Sequence, residues 1–423
     1  MLVRTVIPFA AIVAACGGDD ASSVDPGGPS GGGLDGGSSA TDGAVASADG
    51  ATTTNGDGGG TTPGDGGSTP GDGGTTPKDG GVTTGTSPVI AGCPILPADH
   101  VFNTPIASLP VHPNSAQFMT TIGAHNLHLD LGQIVDQTNA DYFGIPYNVV
   151  HGGTLTWAAT RYYSPDPDLD WDTRAESDCA AAAHTPIAPC TTAAAPNPVF
   201  PIPPSVFVEG GVVTDPSQPY GDHHILLLDQ DTCRLWELYH AYKNTSLSTW
   251  DIYGSATFDL RSNALRPAGW SSADAAGFPI LPLLLRADEA SSGTIKHALR
   301  FTIESTHIRQ AYTWPARHLT NKGKTTTDQP PMGQLFRLKS SFVIPANYNV
   351  QAKAILQAMK TYGMYIADGG SDMYVQGEPS AAWLDATFTQ VQSVSSSNFE
   401  AVDLAPIQAR AGFDVNSGRV PPP

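Results

Sequence analysis

Basic residues are scarce in this chain. Lys and Arg number 21 against 40 Asp and Glu, for a formal net charge of −19 over 423 residues. Nowhere do they cluster, so the chain offers no electrostatic footprint for a phosphate backbone, which argues against nucleic-acid binding. The apolar run at residues 6–13 is interrupted by Pro8 and is too short to span a bilayer, which argues against a transmembrane helix. No C-x-x-C pair occurs among the five cysteines, leaving little support for zinc or dithiol redox chemistry. The folded stretch has no G-x-S-x-G elbow, P-loop, H-E-x-x-H or dinucleotide fingerprint, which removes the common hydrolase, NTPase and zincin classes. Long amphipathic helical patterns are nearly absent too.

What is present begins with a targeting segment at residues 1–15, with Arg4 as its positive end. Val13-Ala14-Ala15-Cys16 then resembles the lipobox of bacterial lipoproteins, in which the cysteine is lipidated and becomes the new N-terminus. Two acyl chains give a firm anchor where one is marginal. Plain secretory cleavage near Ala15 is the alternative. Residues 16–90 read as a disordered tether of Gly, Asp, Thr, Ser and Pro without an aromatic residue between 17 and 87. A seven-residue unit recurs from Thr62, Thr69 and Thr76, but it lacks the large apolar residue that a Ca²⁺-binding β-roll needs. Such a chain buries too little apolar surface to offset its ordering entropy. Its ten Asp against Lys78 carry about half of the net charge.

Residues 91–423 form the folded part, expected to be one β-rich extracellular domain. Short strand patterns recur at 144–150, 154–163, 205–208, 256–260, 297–303, 311–314, 334–342 and 364–367, with turn signals between them. One helix is expected at 350–362, capped by Asn349 and ended by Gly363. The fold class read from this pattern is mainly β: an antiparallel β-sandwich or jelly-roll-like domain with long loops and one or two helices packed on the sheet. Four cysteines remain in this part, and an even number in an exported chain suggests disulfides. The preferred pairing is Cys179–Cys190 across a short Ala/Pro loop and Cys93–Cys233 tying the start of the domain to its centre.

The centre is the stretch 221–242, GDHHILLLDQDTCRLWELYHAY. Two apolar runs split by Asp229-Gln230-Asp231-Thr232 read as a β-hairpin covered on both faces. Counting outward from that turn places Leu228 opposite Cys233, Leu226 opposite Leu235, His224 opposite Glu237 and Asp222 opposite Tyr239. The polar groups gather at the end away from the turn.

That block, with Phe258-Asp259-Leu260-Arg261-Ser262-Asn263, Gly269-Trp270-Ser271-Ser272-Ala273-Asp274-Ala275-Ala276-Gly277, His297-Ala298-Leu299-Arg300-Phe301-Thr302, Trp314-Pro315-Ala316-Arg317-His318, Pro331-Met332-Gly333 and Tyr362-Gly363-Met364, resembles a family of secreted bacterial proteins of uncharacterised activity. The resemblance covers roughly residues 93–402. It implies a single exported domain and transfers neither a catalytic residue nor a substrate.

Four constellations carry chemistry. Asp222, His223, His224, Glu237 and His240 offer an acid–base pair or, equally, a polar cap on a core hairpin. Asp259 and Arg261, with Asp274, Asp288 and Glu289, read first as ion pairs and turn caps. On 297–304, Arg300, Thr302 and Glu304 share a strand face too polar for an ordinary core. With Tyr239, Trp314, Arg317 and His318 they suit a hydroxyl-rich ligand, sugar faces stacking on the aromatic rings. Finally, Asp166, Asp168 and Asp170 present alternate carboxylates to a structural Ca²⁺, although Trp171 stands where an EF-hand needs Gly and a solvated acidic loop is the plainer reading. No cofactor is otherwise required.

The function expected from these residues is that of a lipoprotein on the cell envelope, at the outer membrane or cell surface, acting on extracellular polysaccharide. It touches the membrane through its lipid anchor only. A glycosidase would use Glu237 with Asp259 or Glu304, two carboxylates about 5–10 Å apart. A lyase would use His224 or Tyr239 as base and Arg300 to neutralise a uronate. The alternative is a non-catalytic carbohydrate-binding or adhesion lipoprotein. Cys16→Ala tests the anchor: the variant is expected to leave the membrane fraction or remain unprocessed, and normal cleavage with membrane fractionation contradicts the lipobox.

Overall fold

The strands Ile225–Asp229 and Arg234–Tyr239 pair antiparallel at the middle of a four-stranded sheet. Its outer members are Gly254–Asp259, antiparallel to the second strand, and Tyr147–Val150, parallel to the first. The computed structural model describes residues 87–163, 173–214 and 221–423, which all lie in one compact unit. Leu226, Leu228 and Leu235 point into the larger core, shared with Phe301, Met364 and Ile355. Ile225, Leu227, Trp236 and Leu238 point the other way, into a second core with Phe200, Trp250 and Ile252. Both faces of the hairpin are therefore covered, as its continuous apolar runs require.

Two six-stranded sheets complete the frame. One runs in the order Phe399–Ala401, Leu335–Leu338, Met364–Gly369, Leu299–Ile303, Tyr374–Gln376 and His128–Asp130. The other runs Tyr242–Asn244, Thr249–Ile252, Ala158–Tyr162, Val199–Phe200, Cys179–Ala180 and Pro186–Ile187. The domain is mainly β, but its sheets are mixed rather than antiparallel throughout. Leu299–Ile303 lies parallel to Met364–Gly369, and Thr249–Ile252 parallel to Ala158–Tyr162. These neighbours are far apart in sequence, and strand periodicity carries no information about such pairings. Residues 205–208 form no strand; Val206 and Val208 are buried within a loop that follows Pro203-Pro204.

The helix Val350–Thr361 starts where Asn349 accepts the Ala352 N–H at 2.8 Å and ends before Gly363, whose φ is +76°. It packs on the strand Leu335–Leu338 and against the helices Ala287–Ser292 and Asp385–Gln392. Those two, with Ser115–Ile122 and Ala405–Gln408, bring the α-helices to five among the described residues, more than the one or two expected. Each of the additional four has eight residues or fewer, too few for a helical period to stand out. No helix of the described residues is long and apolar enough to cross a membrane.

The hairpin register differs from the count by two residues. Arg234 pairs with Asp229, Leu235 with Leu228 and Glu237 with Leu226. Asp229 belongs to the strand because its carboxylate gathers the turn: Thr232 Oγ1 donates to it at 2.6 Å, and the Asp231 and Gly152 amides donate at 3.2 and 3.0 Å. Cys233 takes the turn's left-handed position, φ +51°. An offset of two preserves the face of every side chain, so the apolar assignment holds while the opposition of His224 and Glu237 is lost.

Both expected disulfides form, Cys93–Cys233 and Cys179–Cys190, with Cα separations of 5.3 and 5.4 Å. They close loops of very different length, with sequence separations of 140 and 11. Chain entropy then predicts that replacing Cys93 and Cys233 by Ala costs about 4–5 kcal/mol, and replacing Cys179 and Cys190 about 2–3 kcal/mol. Denaturant unfolding of the two double variants measures the order.

Candidate functional site

At the open end of the hairpin the chain leaves strand geometry twice. His223 and His240 both take left-handed backbone, φ +46° and +53°, uncommon for residues with a Cβ. The ladder stops there, and His224 turns away from Glu237 toward Glu209. Its Nδ1 lies 2.6 Å from Glu209 Oε2 and its Nε2 2.8 Å from the Ala273 carbonyl. A carbonyl only accepts, so Nε2 carries a hydrogen. Burial disfavours a charged ring, but the Glu209 carboxylate outweighs it and raises the His224 pKa to about 9. The same contact overcomes burial at Glu209 and lowers its value. His224 is therefore an imidazolium held by two acceptors. Glu209, Asp222 and His224 lie close enough to share a metal ion, yet a ring that donates from both nitrogens has no lone pair to give.

Glu237 is fully buried. Its carboxylate accepts the amides of Ile280, at 2.8 and 3.0 Å, and Leu281, at 3.1 Å. It thereby caps the short 3₁₀ helix Leu281–Leu283. Burial pushes its pKa up to about 7. This carboxylate is a structural anchor sealed beneath the core, and it faces no cleft.

Around Arg300 the sheet that carries it, the open end of the hairpin and two loops share an acidic cluster. Arg300 is buried on the strand Leu299–Ile303, its guanidinium 3.2 Å from Asp274 and hydrogen-bonded to Gln376 Oε1. Asp130, Glu209, Asp222 and Asp368 also feel its charge. Five carboxylates thus surround two cations, Arg300 and His224, so not all can ionise at neutral pH. Burial raises Asp130 to about 6 and Asp368 to about 8, the latter helped by the neighbouring charges of Asp274 and Asp222. Asp222 and Asp274 are raised by burial as well. The Arg300 face is polar and buried together, a combination that a solvated sheet face does not predict.

Asp368 connects this cluster to solvent. Between Phe301 and Thr302 the pairing with Met364–Gly369 skips one residue, Ala367. That bulge breaks the alternation, so Ile366 stays in the core while Asp368 lines a cleft. Tyr239, Tyr253, His318 and Glu176 also line it, with Ser271, Ser272, Ser305 and Thr320 among the hydroxyls. The Glu176 carboxylate accepts the Ser271 amide and hydroxyl at 3.1 and 3.0 Å. Arg266 braces both sides, donating to the carbonyls of Glu176 and Ser271 while paired with buried Asp178.

Of the residues singled out in the sequence, Asp222, His224, Tyr239 and Arg300 come together here, with the Tyr239 hydroxyl 3.4 Å from Asp222. His318 lines the cleft, its Nδ1 bonded to the Ala275 carbonyl at 3.0 Å. Trp314 and Arg317 make no sugar platform. Both are buried: Trp314 donates to the Ser417 carbonyl, and Arg317 to Arg266, Val415 and Asn416, so they pin the C-terminal segment. Asp259 forms surface ion pairs with Arg261 and Arg234. Glu304 is exposed and pairs with His307 instead of entering the cluster. Cys16, Asp166, Asp168 and Asp170 lie outside the described residues.

Sequence reasoning missed Asp130, Glu176, Glu209 and Asp368. Glu209 and Asp368 each precede two glycines and read as turn residues; the available signal was a lone carboxylate closing the apolar run 364–367. Comparison with family models, curated proteins and solved structures finds no match to this chain.

The raised groups set a pH dependence. Ordinary values of 6.5 for His224 and 3.8 for Asp368 become about 9 and about 8 in the folded chain. Folding therefore takes up protons between pH 6.5 and 9, and stability falls as pH rises through that window. The melting temperature is expected to drop by about 2 °C or more from pH 6.5 to 9, with a shallower fall in Asp368→Asn. Calorimetry at fixed ionic strength checks the slope; a flat profile contradicts the assignment.

Proposed function

We propose that this protein is an exported, surface-anchored enzyme that cleaves extracellular polysaccharide by acid–base chemistry in the Asp368–Glu176 cleft. The observation that carries the reading is that one hydroxyl-rich cleft holds two carboxylates in unlike surroundings. Asp368 backs onto an acidic cluster that keeps its proton at neutral pH. Glu176 is braced by Ser271. Glycoside cleavage needs such a division of labour. Asp368 protonates the departing glycosidic oxygen. Glu176 either takes a proton from the attacking water or attacks the anomeric carbon itself. The lipobox at Cys16, the targeting segment and the low-complexity tether support the location, and two disulfides suit an oxidising compartment.

A second reading rests on the aromatic side of the same cleft. Tyr239 and Tyr253 stand with ring centroids 5.9 Å apart at an interplanar angle of 74°, a surface on which a sugar face can stack without turnover. A polysaccharide panel, read for reducing ends and for unsaturated products, separates the two. The wild type is expected to release reducing ends, and Asp368→Asn to lose about 100-fold or more of that rate while still binding. Binding without turnover by the wild type selects the non-catalytic reading. Undiminished turnover by Asp368→Asn removes Asp368 from the chemistry.

A further inference from the structure

We propose that His125, Glu304, His307 and Asp372 form a binding site for a divalent transition-metal ion of the zinc class. The four side chains come from three separate segments. Glu304 and His307 bracket the 3₁₀ turn Ser305–His307, in which positions three apart stack over one another. Asp372 follows the strand Met364–Gly369, and His125 lies just after Gly123, which ends the helix Ser115–Ile122.

Glu304, His307 and Asp372 are close enough to share one ion, and His125 approaches the same Asp372 carboxylate. Asp372 Oδ2 is 3.1 Å from His307 Nδ1 and 3.5 Å from His125 Nε2. Ligands about 2.0 Å from a tetrahedral zinc are separated by about 3.3 Å, between those two distances. One ligand atom each from Glu304, His307 and Asp372 lies within 4.8 Å of the others. Two imidazoles with two carboxylates favour zinc-like ions over Ca²⁺ or Mg²⁺, which prefer an all-oxygen shell.

The group is also held in place and open to arrival. Asp372 has a side-chain exposure of 2%; its Oδ1 accepts the Glu304 amide at 3.0 Å and lies 3.2 Å from His307 Nδ1, which fixes the carboxylate beside the histidines. The His125 and Glu304 side chains are 46% and 58% exposed, leaving a path for the ion. Ser305, beside Glu304, lines the cleft, so a bound ion fastens that wall from outside. The competing reading is a buried carboxylate hydrogen-bonded by two imidazoles and nothing more.

The test uses the full chain without a polyhistidine tag, stripped with EDTA. Zn²⁺ is titrated by calorimetry, and Co²⁺ by visible absorbance for the bands of a tetrahedral centre. One equivalent is expected to bind and to raise the melting temperature. His125→Ala and His307→Ala are expected to weaken binding by about tenfold or more. Both changes fall on accessible side chains, so metal-free melting temperatures near wild type show that the variants fold. Glu209→Gln, at the other His–carboxylate cluster, is expected to bind Zn²⁺ as the wild type does. No binding by the wild type, histidine variants that bind as tightly as it does, or loss of binding in Glu209→Gln alone each overturns the assignment.

Discussion

Arg300 sits where carboxylates from several segments converge: Asp274 from the 271–277 loop, Asp368 from the neighbouring strand, Asp130 near the sheet edge, Glu209 and Asp222 from the hairpin side. A guanidinium in the interior demands counter-charge, and a group of carboxylates demands protons or cations. Each makes the other tolerable. The register of Leu299–Ile303, the bulge at Ala367 and the turned backbone at His223 all serve to bring these groups within reach. Removing the cation would leave several acids buried with one imidazolium between them, a far larger cost than any single lost contact. Burial has raised four of these carboxylates above their ordinary values, a concentration of perturbed groups in one place.

The reach of the sequence ended at predictable places. The hairpin was legible because its two runs are mostly apolar, and the helix Val350–Thr361 because Asn349 and Gly363 mark its ends. The hairpin register was not, since Asp229 reads as a turn residue by type yet joins the ladder by accepting the turn's donors. Asp222, His224, Tyr239 and Arg300 were visible as polar residues interrupting apolar strands. Glu237 looked the same by that criterion, and only its contact with the Ile280 and Leu281 amides reveals a cap. Asp368 depended on a bulge, and nothing in its local sequence announces which strand will lie opposite. Trp314 and Arg317 failed for the converse reason: aromatic and cationic types suit ligands, but they suit a chain terminus that must be tied down equally well.

The cleft shows how similar groups come to very different surroundings. Arg266 spends its guanidinium on the carbonyls of Glu176 and Ser271 and on Asp178, so two walls of the cleft are fixed by one side chain behind them. Glu237 and Asp368 are both carboxylates whose proton affinity burial has raised. One is walled in by Leu226, Leu228 and Leu235 and can exchange nothing with solvent; the other stands at an opening. Position relative to the opening, more than affinity for the proton, sets the two carboxylates apart.

The Cys93–Cys233 bond has a mechanical consequence. Cys233 lies in the hairpin turn, whereas Asp222, His224 and Tyr239 lie at the opposite end of the same two strands. A pull on the chain ahead of Ser87 first meets the short pairing of Val89–Ile90 with Cys93–Pro94, held by few hydrogen bonds. Behind it the load passes through a covalent link into the most deeply packed hairpin of the fold. Shear, friction or a filament dragging on the domain would therefore peel the first few residues and stop, leaving the distant cleft in its resting shape.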